Sequence, residues 1–397
     1  MPNKASKQFL IDENWFNRFD SVRRFSPEKY ILANPDDILV TEQLTCYPKA
    51  VEKFPNWHRD GMIYSKLALE QSSGEVAAQF KSEIAKGNTL WDLTGGLGMD
   101  SLAFSNSFIE IHYCEPDEKP YSMAKNNHKV HGISNIQHHN WSAENALEHI
   151  SKTDWIYLDP SRRDQNSKKF LLRDCQPNVL ELIPKIVEKC YSFMIKLSPM
   201  YDLKQLFIEL PMIDQAIVIS VDGEVKEILA VYMNNMPKKI RAVLIPENLQ
   251  FEKNFDPNSE NLEKLPQINT STPHKGAFLH VADPAIFKSE MITQIAQIKN
   301  LNAWGSAGYL WSEKNEIKGF KTYEIHDVVD FKPKILRRLL ADKRVNIHKR
   351  NFPIDISSVY KTLDTTMGDD LHLFLTTESG KKKRVCITSP ALYINQS

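Results

Sequence analysis

The feature that most constrains the fold is a glycine-rich turn that follows a short apolar run. The turn spans Asp92 to Asp100 and reads DLTGGLGMD. Its glycines permit a tight turn and a close backbone approach, and the helix that follows presents unpaired N–H groups to a carboxylate or another anion. A dinucleotide fingerprint, G-x-G-x-x-G, is incomplete because Ser101 stands where its last glycine would be. The pattern leaves open a nucleotide-like cofactor, a dinucleotide and a purely structural turn.

Apolar segments after the turn predict further parallel strands. The segment 109–114 ends at Glu115, at about the twenty-residue spacing at which an acid meets a ribose hydroxyl in nucleotide-binding α/β folds. A third strand is predicted at 134–138, with Asn140 and Trp141 just beyond it. This alternation of strands and helices indicates a doubly wound sheet.

The fourth predicted strand, 154–158, ends in a polar run at the edge of the sheet where doubly wound folds bind their ligands. The run reads Asp159-Pro160-Ser161-Arg162-Arg163. A fifth strand is predicted at 192–196 and a sixth at 215–220. The Asp222-Gly223 pair then predicts a hairpin, because both residues tolerate the positive φ angles of a two-residue turn.

These motifs resemble those of class I S-adenosylmethionine (SAM)-dependent methyltransferases. The turn resembles motif I, in which an acid precedes the glycines, and Asp159-Pro160 resembles motif IV, usually (D/N)-P-P-(Y/F), of nucleic-acid and protein-amine methyltransferases. Here Ser161 replaces the second proline and Arg162 the aromatic residue. That departure weakens the implication of an exocyclic-amine target.

A wider resemblance covers most of the chain. The run LEQSS at 69–73, the sequence KLSP at 196–199 and a basic C-terminal segment, together with both motifs, resemble a bacterial group of methyltransferases with a THUMP-like C-terminal domain. The resemblance implies SAM as cofactor. The cofactor-binding residues that it implies are Asp92, Thr94, Gly96, Gly98, Asp100, Glu115, Asn140 and Trp141.

The implied transfer site consists of Asp159, Pro160 and Lys196. Asp159 and the Pro160 carbonyl would polarise a target amine. Alternatively, a ribose hydroxyl would be the target of Asp159 and Lys196 together with Glu224 or Glu227. Methylation at a pyrimidine carbon would need a cysteine nucleophile, and Cys175 lies in no recognisable motif.

Basic side chains are candidate contacts to a nucleic-acid substrate. Arg162 and Arg163 would anchor a phosphate through their planar guanidinium groups, unless they pack against Asp164 or Asp174. The C-terminal run would neutralise phosphates, with Lys349 and Arg350 as predicted contacts, or would form a solvated helix face. Its members are Lys332, Lys334, Arg337, Arg338, Lys343, Arg344, Lys349 and Arg350. Similarity to THUMP-like domains favours RNA, either tRNA or rRNA.

Composition limits the alternatives. The 50 basic and 50 acidic residues cancel, so nucleic-acid affinity would depend on local patches. Five cysteines without a C-x-x-C motif predict reduced cytosolic thiols. With no signal peptide and no membrane-spanning apolar run, we expect a cytoplasmic protein. The histidine pairs 128/131 and 138/139 lack acids or cysteines at ligand spacing, so no metal site is predicted.

The predicted fold is α/β, with a Rossmann-like class I methyltransferase sheet. A helical N-terminal extension (1–85) precedes the SAM-binding domain (86–245), a small α+β, ferredoxin-like module (246–320) and a THUMP-like, RNA-binding domain (321–397). Two local predictions are a helix from Asp283 to Leu301 and an N-cap at Ser72 or Ser73 for the helix from Gly74 to Ile84, which we favour over a role of these serines in the cofactor pocket.

The predicted function is SAM-dependent methylation of RNA, at an amine or a ribose hydroxyl. The alternatives are a small-molecule or protein methyltransferase and a non-catalytic RNA-binding protein that retains the SAM-binding fold. A dinucleotide-dependent oxidoreductase is less favoured, because a dinucleotide-binding half-domain does not need the predicted hairpin.

Overall fold

A computed structural model of the protein describes residues 11, 14–162, 171–234, 236–256, 269–305, 308–378 and 382–392. Arg163 and most of the charged loop after it lie outside these residues. Among the described residues, those up to 217 together with 226–239 form one compact unit. A second unit contains 218–225 and the residues from 240 onward.

The first unit begins with a layer of helices, as the sequence predicts. Their apolar faces share a core that includes Phe19, Val40 and Phe54, and Leu97 and Met99 of the glycine-rich segment pack into the same core. Asp37 caps the third helix through the Val40 N–H and also binds Arg18 and Tyr30. The helices are α1 (Trp15–Val22), α2 (Pro27–Ala33), α3 (Ile38–Lys53), α4 (Lys66–Gln71) and α5 (Glu75–Ile84).

Alternating strands and helices follow. They are β1 (Gly87–Asp92), α6 (Met99–Phe104), β2 (Phe108–Cys114), α7 (Glu118–Val130), β3 (Ile136–His139), α8 (Ala143–His149), β4 (Thr153–Leu158), β5 (Ser161–Arg162), β6 (Cys175–Gln176), α9 (Val179–Lys189), β7 (Cys190–Leu197), α10 (Leu203–Glu209), β8 (Gln215–Val221), β9 (Glu224–Tyr232), β10 (Lys239–Ile245) and β11 (Leu249–Asn254). β5 and β6 pair with each other.

The other strands form a nine-stranded sheet in the order β11-β10-β8-β9-β7-β4-β1-β2-β3. β1 pairs in parallel with β2 and β4, β2 with β3, and β4 with β7, whereas β7 and β9 are antiparallel. The carboxyl ends of the parallel strands therefore lie along one edge, where Asp92 ends β1 and Glu115 and Asp159 follow β2 and β4. Asp222 and Gly223 have φ angles of 53° and 74°, which confirms the predicted hairpin. The Rossmann-like α/β fold is confirmed.

The second unit contains a seven-stranded sheet in the order β13-β14-β12-β15-β18-β17-β16. The long strand β15 pairs with β12 in its first half and with β18 in its second half, so the segments 246–320 and 321–397 contribute to one continuous sheet. Its elements are β12 (Phe278–Ala282), α11 (Pro284–Lys288), α12 (Ile292–Lys299), β13 (Asn302–Trp304), β14 (Tyr309–Ser312), β15 (Phe320–Asp330), α13 (Pro333–Leu339), β16 (Val345–Lys349), α14 (Ile356–Leu363), β17 (Leu371–Glu378) and β18 (Lys382–Thr388).

The prediction of one helix from Asp283 to Leu301 is wrong. The structure has two helices, α11 and α12, and Glu290 between them has a φ of 54°. A left-handed residue cannot continue a right-handed helix, so the chain turns at this point. The apolar periodicity on both sides of Glu290 does not show the break.

Candidate functional site

The glycine-rich turn between β1 and α6 forms one wall of a large cavity of about 1510 Å³. Gly98 is left-handed, with a φ of 79°, and is the N-cap residue of α6. Side chains of β2 and α7 leave no room for a Cβ atom in the turn: at Gly95 it would lie 2.0 Å from the Tyr113 ring, and at Gly98 it would lie 2.6 Å from His128 Nε2. The sequence needs glycine here for space as well as for backbone conformation.

Asp92 stabilises the turn through hydrogen bonds. It is buried, and its carboxylate accepts hydrogen bonds from the Thr94 N–H at 3.1 Å and from Ser101 Oγ at 2.6 Å. Burial raises the pKa of Asp92 to about 7, although these two hydrogen bonds favour the ionised form. Asp92 also lines the cavity, so its predicted role in binding the cofactor stays a prediction beside its structural one.

Glu115 links the ends of β1 and β2. Its Oε2 accepts a hydrogen bond from the Gly96 N–H at 2.9 Å, and its Oε1 accepts one from the Asp117 N–H at 2.9 Å. Burial raises the pKa of Glu115, against the effect of these two hydrogen bonds. The carboxylate lines the cavity at the position that the sequence assigns to a ribose-binding acid.

Two further residues of the predicted cofactor site, Asn140 and Trp141, make other contacts in the structure. Asn140 Nδ2 donates to the carbonyl oxygens of Glu115 at 2.8 Å and Pro116 at 3.0 Å, and so holds the β2 end in place. The Trp141 ring stacks between His139 and His149, with ring centroids 4.3 Å away on each side. Among the described residues, neither of the two lines the cavity. The next residues in the chain, 142–144, do line it.

Asp159 and Lys196 form an ion pair in the same cavity. Lys196 Nζ lies 2.6 Å from Asp159 Oδ2, and the Asp159 N–H donates to Thr94 Oγ1 at 2.5 Å. Burial alone would lower the pKa of Lys196, but the carboxylates of Asp159, Glu227 and Asp100 outweigh burial and raise it, so the side chain is a cation at neutral pH. Pro160 lines the cavity beside this pair. The structure thus brings the three predicted catalytic residues together.

A buried charge network lies next to this pair, and Asp100 belongs to it. Lys81 Nζ contacts Glu227 Oε1 at 2.8 Å, Asp100 Oδ1 at 3.0 Å and Ser73 Oγ at 2.7 Å. The Tyr157 hydroxyl donates to Asp100 Oδ2 at 2.7 Å. The network joins α5, α6, β4 and β9 beneath the cavity.

The predicted serine N-cap is wrong. The N-cap residue of α5 is Gly74, without a side-chain hydrogen bond, whereas Ser73 is buried and donates to Asp100 Oδ2 at 3.0 Å. Sequence reasoning also missed Lys81 and Tyr157. Tyr157 lies on β4, two residues before Asp159, so alternation along the strand predicts that the two side chains share a face. No comparable pattern in the sequence indicates Lys81.

The predicted substrate-binding arginines and lysine divide into two groups. Arg162 lies in β5, and Arg163 lies outside the described residues. In the second unit, the Arg350 guanidinium packs over the rings of Phe287 and Tyr309 at 4.8 and 4.9 Å and donates to the Gly308 carbonyl at 2.8 Å. These contacts give Arg350 a structural role, and its predicted contact with a substrate stays a prediction. Lys349 is exposed, and its Nζ donates to the Ile354 carbonyl at 3.2 Å.

The remaining basic residues of the C-terminal run do not form one helix face. They are distributed over α13 and the segment that leads into β16. Three of them line a second cavity, of about 510 Å³, between the ends of α13 and α14: Arg337, Lys343 and Arg344. Asp342 and Asp364 line it as well.

Comparison with known proteins supports this architecture. Residues 320–390 match the family model described as "THUMP domain-like". A crystal structure from Porphyromonas gingivalis W83, called a "putative methyltransferase", superposes with a TM-score of 0.82 at 24% identity over 96% of this chain and 100% of that chain. This likeness shows the fold. The predicted THUMP-like segment and the fold that the resemblance implies are both confirmed.

More distant structures overlap only with part of the chain. An rRNA methylase from Streptococcus thermophilus covers 41% of this chain and 95% of its own, with a TM-score of 0.31 and 14% identity. M. capricolum TrmK, in complex with S-adenosyl-homocysteine, covers 40% of this chain and 68% of its own, with a TM-score of 0.32 and 13% identity. Neither similarity is close enough to support a conclusion about this chain. No curated protein sequence matches the chain.

The described part of the chain shows no features of a membrane-spanning helix or of a metal site. None of its helices combines the length and the apolar character that crossing a membrane requires. Among the same residues, no group of three or more His, Cys, Asp or Glu side chains is arranged to hold a metal ion.

Proposed function

We propose that the protein is a SAM-dependent methyltransferase that acts on RNA. The observation that carries the proposal is the Asp159–Lys196 pair, which lies in one cavity with the glycine-rich turn and Glu115. An acid of this kind, at the carboxyl end of a central parallel strand, is where a doubly wound fold places its chemistry.

The cavity has the chemistry that SAM requires. Gly95, Gly96 and Gly98 line the cavity without side chains, so the backbone can approach a ligand closely. Glu115 supplies carboxylate oxygens for ribose hydroxyls, and the start of α6 presents backbone N–H groups to the methionine carboxylate. Bound SAM would supply an electrophilic methyl group to a nucleophile held in the remaining part of the cavity.

The chain's own residues would orient that nucleophile. Asp159 accepts a hydrogen bond from the target N–H or O–H through its carboxylate, and the Pro160 carbonyl offers a second acceptor. Lys196 is held as a cation, so it cannot take the proton of the target; it fixes the Asp159 side chain and stabilises its negative charge. These roles suit an amine, whose lone pair needs no prior deprotonation, and a ribose hydroxyl whose proton passes to Asp159.

RNA is the proposed substrate because of the C-terminal segment. The THUMP-like match and the basic residues of the smaller cavity support it, since Arg337, Lys343 and Arg344 can contact phosphates. A cytoplasmic location is part of the proposal, because all five cysteines are buried and none of them forms a disulfide bond with another described residue, as in a reducing compartment.

The test is a methyl-transfer assay with labelled SAM and total RNA from cells that lack the gene. We expect label in one nucleoside with the wild-type protein and a loss of about 100-fold or more in Asp159→Asn, a typical size for a group that acts in proton transfer. Glu148→Gln, an exposed change on α8 outside the cavity wall, serves as control. Nucleoside analysis identifies the methylated atom.

The outcomes separate the alternatives. Bound SAM without labelled RNA would contradict the RNA substrate and favour a small-molecule or protein substrate. RNA binding that persists without any SAM binding would contradict methyltransferase activity and favour a non-catalytic protein. Binding of NAD in place of SAM would indicate an oxidoreductase.

A further inference from the structure

Two backbone carbonyl groups of the glycine-rich turn are held by ring side chains behind it. The Tyr113 hydroxyl donates to the Gly96 carbonyl oxygen at 2.6 Å. His128 Nε2 lies 2.8 Å from the Gly98 carbonyl oxygen, which also accepts the Leu102 N–H of α6 at 2.9 Å. Both rings are buried, and neither belongs to the described residues that line the large cavity, whereas Gly96 and Gly98 do line it. The two carbonyl oxygens therefore face away from the cavity.

The orientation of these carbonyl groups determines that of the next two N–H groups. In a planar trans peptide the C=O and N–H bonds point in opposite directions, so the N–H groups of Leu97 and Met99 lie on the side of the turn away from the rings. Both residues line the cavity, although their side chains pack into the core of the helical layer, so their backbone forms the wall. Neither N–H group has an acceptor among the described residues. Each can therefore donate to a ligand.

A second histidine fixes the position of the proton on His128. His138 Nε2 lies 2.9 Å from His128 Nδ1. Burial lowers the pKa of His128 to about 3 and the pKa of His138 to about 4, so both rings are neutral at neutral pH and each carries one N–H. Because a carbonyl oxygen can only accept, the proton of His128 lies on Nε2. Its Nδ1 then accepts the hydrogen bond that His138 Nε2 donates.

We propose that Tyr113, His128 and His138 are positioning residues for the methionine carboxylate of SAM. They hold the two glycine carbonyl groups out of the cavity, so the carboxylate meets the N–H groups of Leu97 and Met99 and not the negative ends of carbonyl dipoles. The inference rests on the proposed function and deepens it. The ring donors behind the turn determine the affinity for the amino-acid part of the cofactor, and the adenosine part binds without them.

Two ligands separate this role from a general effect on the fold. S-adenosylhomocysteine contains the carboxylate, whereas 5′-methylthioadenosine has the same adenosine part without it, and calorimetry on the full-length protein measures both affinities. We expect Tyr113→Phe to weaken S-adenosylhomocysteine binding about tenfold, as for the loss of one charge-assisted hydrogen bond, and to change methylthioadenosine binding less than about twofold. Tyr121→Phe on α7 is the matched control, because the Tyr121 hydroxyl has no hydrogen-bond partner among the described residues and lies outside the cavity wall that they form. It should leave both affinities unchanged.

A pair of variants tests His128. His128→Leu removes the donor to Gly98 and should weaken S-adenosylhomocysteine binding about tenfold, whereas His128→Gln keeps an N–H near the position of Nε2 and should recover most of the affinity. ¹⁵N NMR of the histidine-labelled protein should show a protonated Nε2 and an unprotonated Nδ1 in His128. A proton on Nδ1 in its place, or equal S-adenosylhomocysteine affinity in Tyr113→Phe and the wild type, would overturn the inference.

The same measurements distinguish a failure of this inference from a failure of the proposed function. If the wild type binds both ligands and Tyr113→Phe and His128→Leu weaken both equally, the rings support the fold in general, and the inference alone is overturned. If the wild type binds neither ligand, the methyltransferase assignment is contradicted, and the inference that rests on it falls as well.

Discussion

At the scale of single residues, Gly98 is held in place by the side chains behind it. It has a φ of 79°, and an added Cβ would lie 2.6 Å from His128 Nε2 and 3.0 Å from the Ala124 Cβ. We expect Gly98→Ala to lower the free energy of unfolding by about 2–5 kcal/mol, because left-handed backbone strain and overpacking add up. Urea denaturation measures this change.

Gly132→Ala is the matched control for Gly98→Ala. Gly132 also has a positive φ, 71°, but its added Cβ would meet nothing within 4 Å. Backbone strain alone predicts a cost of about 1–2 kcal/mol. Equal losses in the two variants would show that the contact with His128 does not constrain the turn.

Asp92 gives a pH-dependent prediction at the same scale. Burial raises its pKa to about 7, whereas an unfolded chain has a pKa of about 3.9. Between about pH 4 and pH 7 the folded protein therefore holds a proton that the unfolded chain has released, and the contribution of Asp92 to the free energy of unfolding falls as the pH rises through this window.

Asp92→Asn removes this titration while it keeps an oxygen that can accept one of the two hydrogen bonds. The free energy of unfolding at pH 8, taken relative to that at pH 5, should therefore be higher in the variant than in the wild type. Urea denaturation of both proteins at both pH values measures it. The same pH dependence in both proteins would mean that Asp92 titrates normally.

Single residues also show where sequence reasoning reaches its limit. Asp159 and Lys196 could be predicted as partners, because both lie at the carboxyl ends of parallel strands. Ser73, Lys81 and Glu227 meet only when the helical layer and the last strands fold together, and no spacing in the sequence relates them. Asn140 and Trp141 directly precede 142–144, which line the cavity, and motif spacing cannot distinguish positions this close.

At the scale of elements, Lys81 joins α5 to α6 and β9. Its buried ammonium balances Asp100 and Glu227, so Lys81→Met leaves two carboxylates without their cation. We expect a loss of about 3–5 kcal/mol in the free energy of unfolding, as for other buried pairs from which one partner is removed. Thermal and urea denaturation measure it.

Two further variants test the reason for this loss. Lys185→Met removes the exposed pair with Glu148 and should cost less than about 1 kcal/mol. Adding Glu227→Gln to Lys81→Met should recover part of the loss, because one uncompensated charge disappears. A double variant as unstable as the sum of both single variants would contradict electrostatic coupling between these elements.

Elements were predictable where a local rule governs them. The Asp222-Gly223 turn and the acid-terminated strands follow from backbone conformation and burial, and both were confirmed. The break at Glu290 could not be predicted, because a left-handed glutamate has no sequence signature and the apolar positions continue past it. Arg350 looked like part of a basic patch, but the Phe287 and Tyr309 rings that cover it come from distant segments.

At the scale of the whole molecule, the strands from β12 to β18 belong to a single sheet. β15 pairs on one side with β12 and on the other with β18. Phe374 of β17 lies in the same core cluster as Trp304 and Tyr309, and its ring lies 5.5 Å from that of Tyr309. The segments 246–320 and 321–397, which the sequence suggests as separate modules, therefore share a sheet and one core cluster, although each also has a cluster of its own.

This shared sheet predicts that the two segments unfold together. Leu373 is fully buried against α13 and α14, in a core cluster formed only by residues of the 321–397 segment. Leu373→Ala should cost about 2–5 kcal/mol through lost burial and a cavity. Because unfolding of β17 and β18 also removes the support of β15, native-state hydrogen exchange should show the same loss of protection in β12 and β14 as in β17. Lowered protection confined to 321–390, with β12 and β14 unchanged, would show instead that the sheet consists of two cooperative units and that the THUMP-like segment folds by itself.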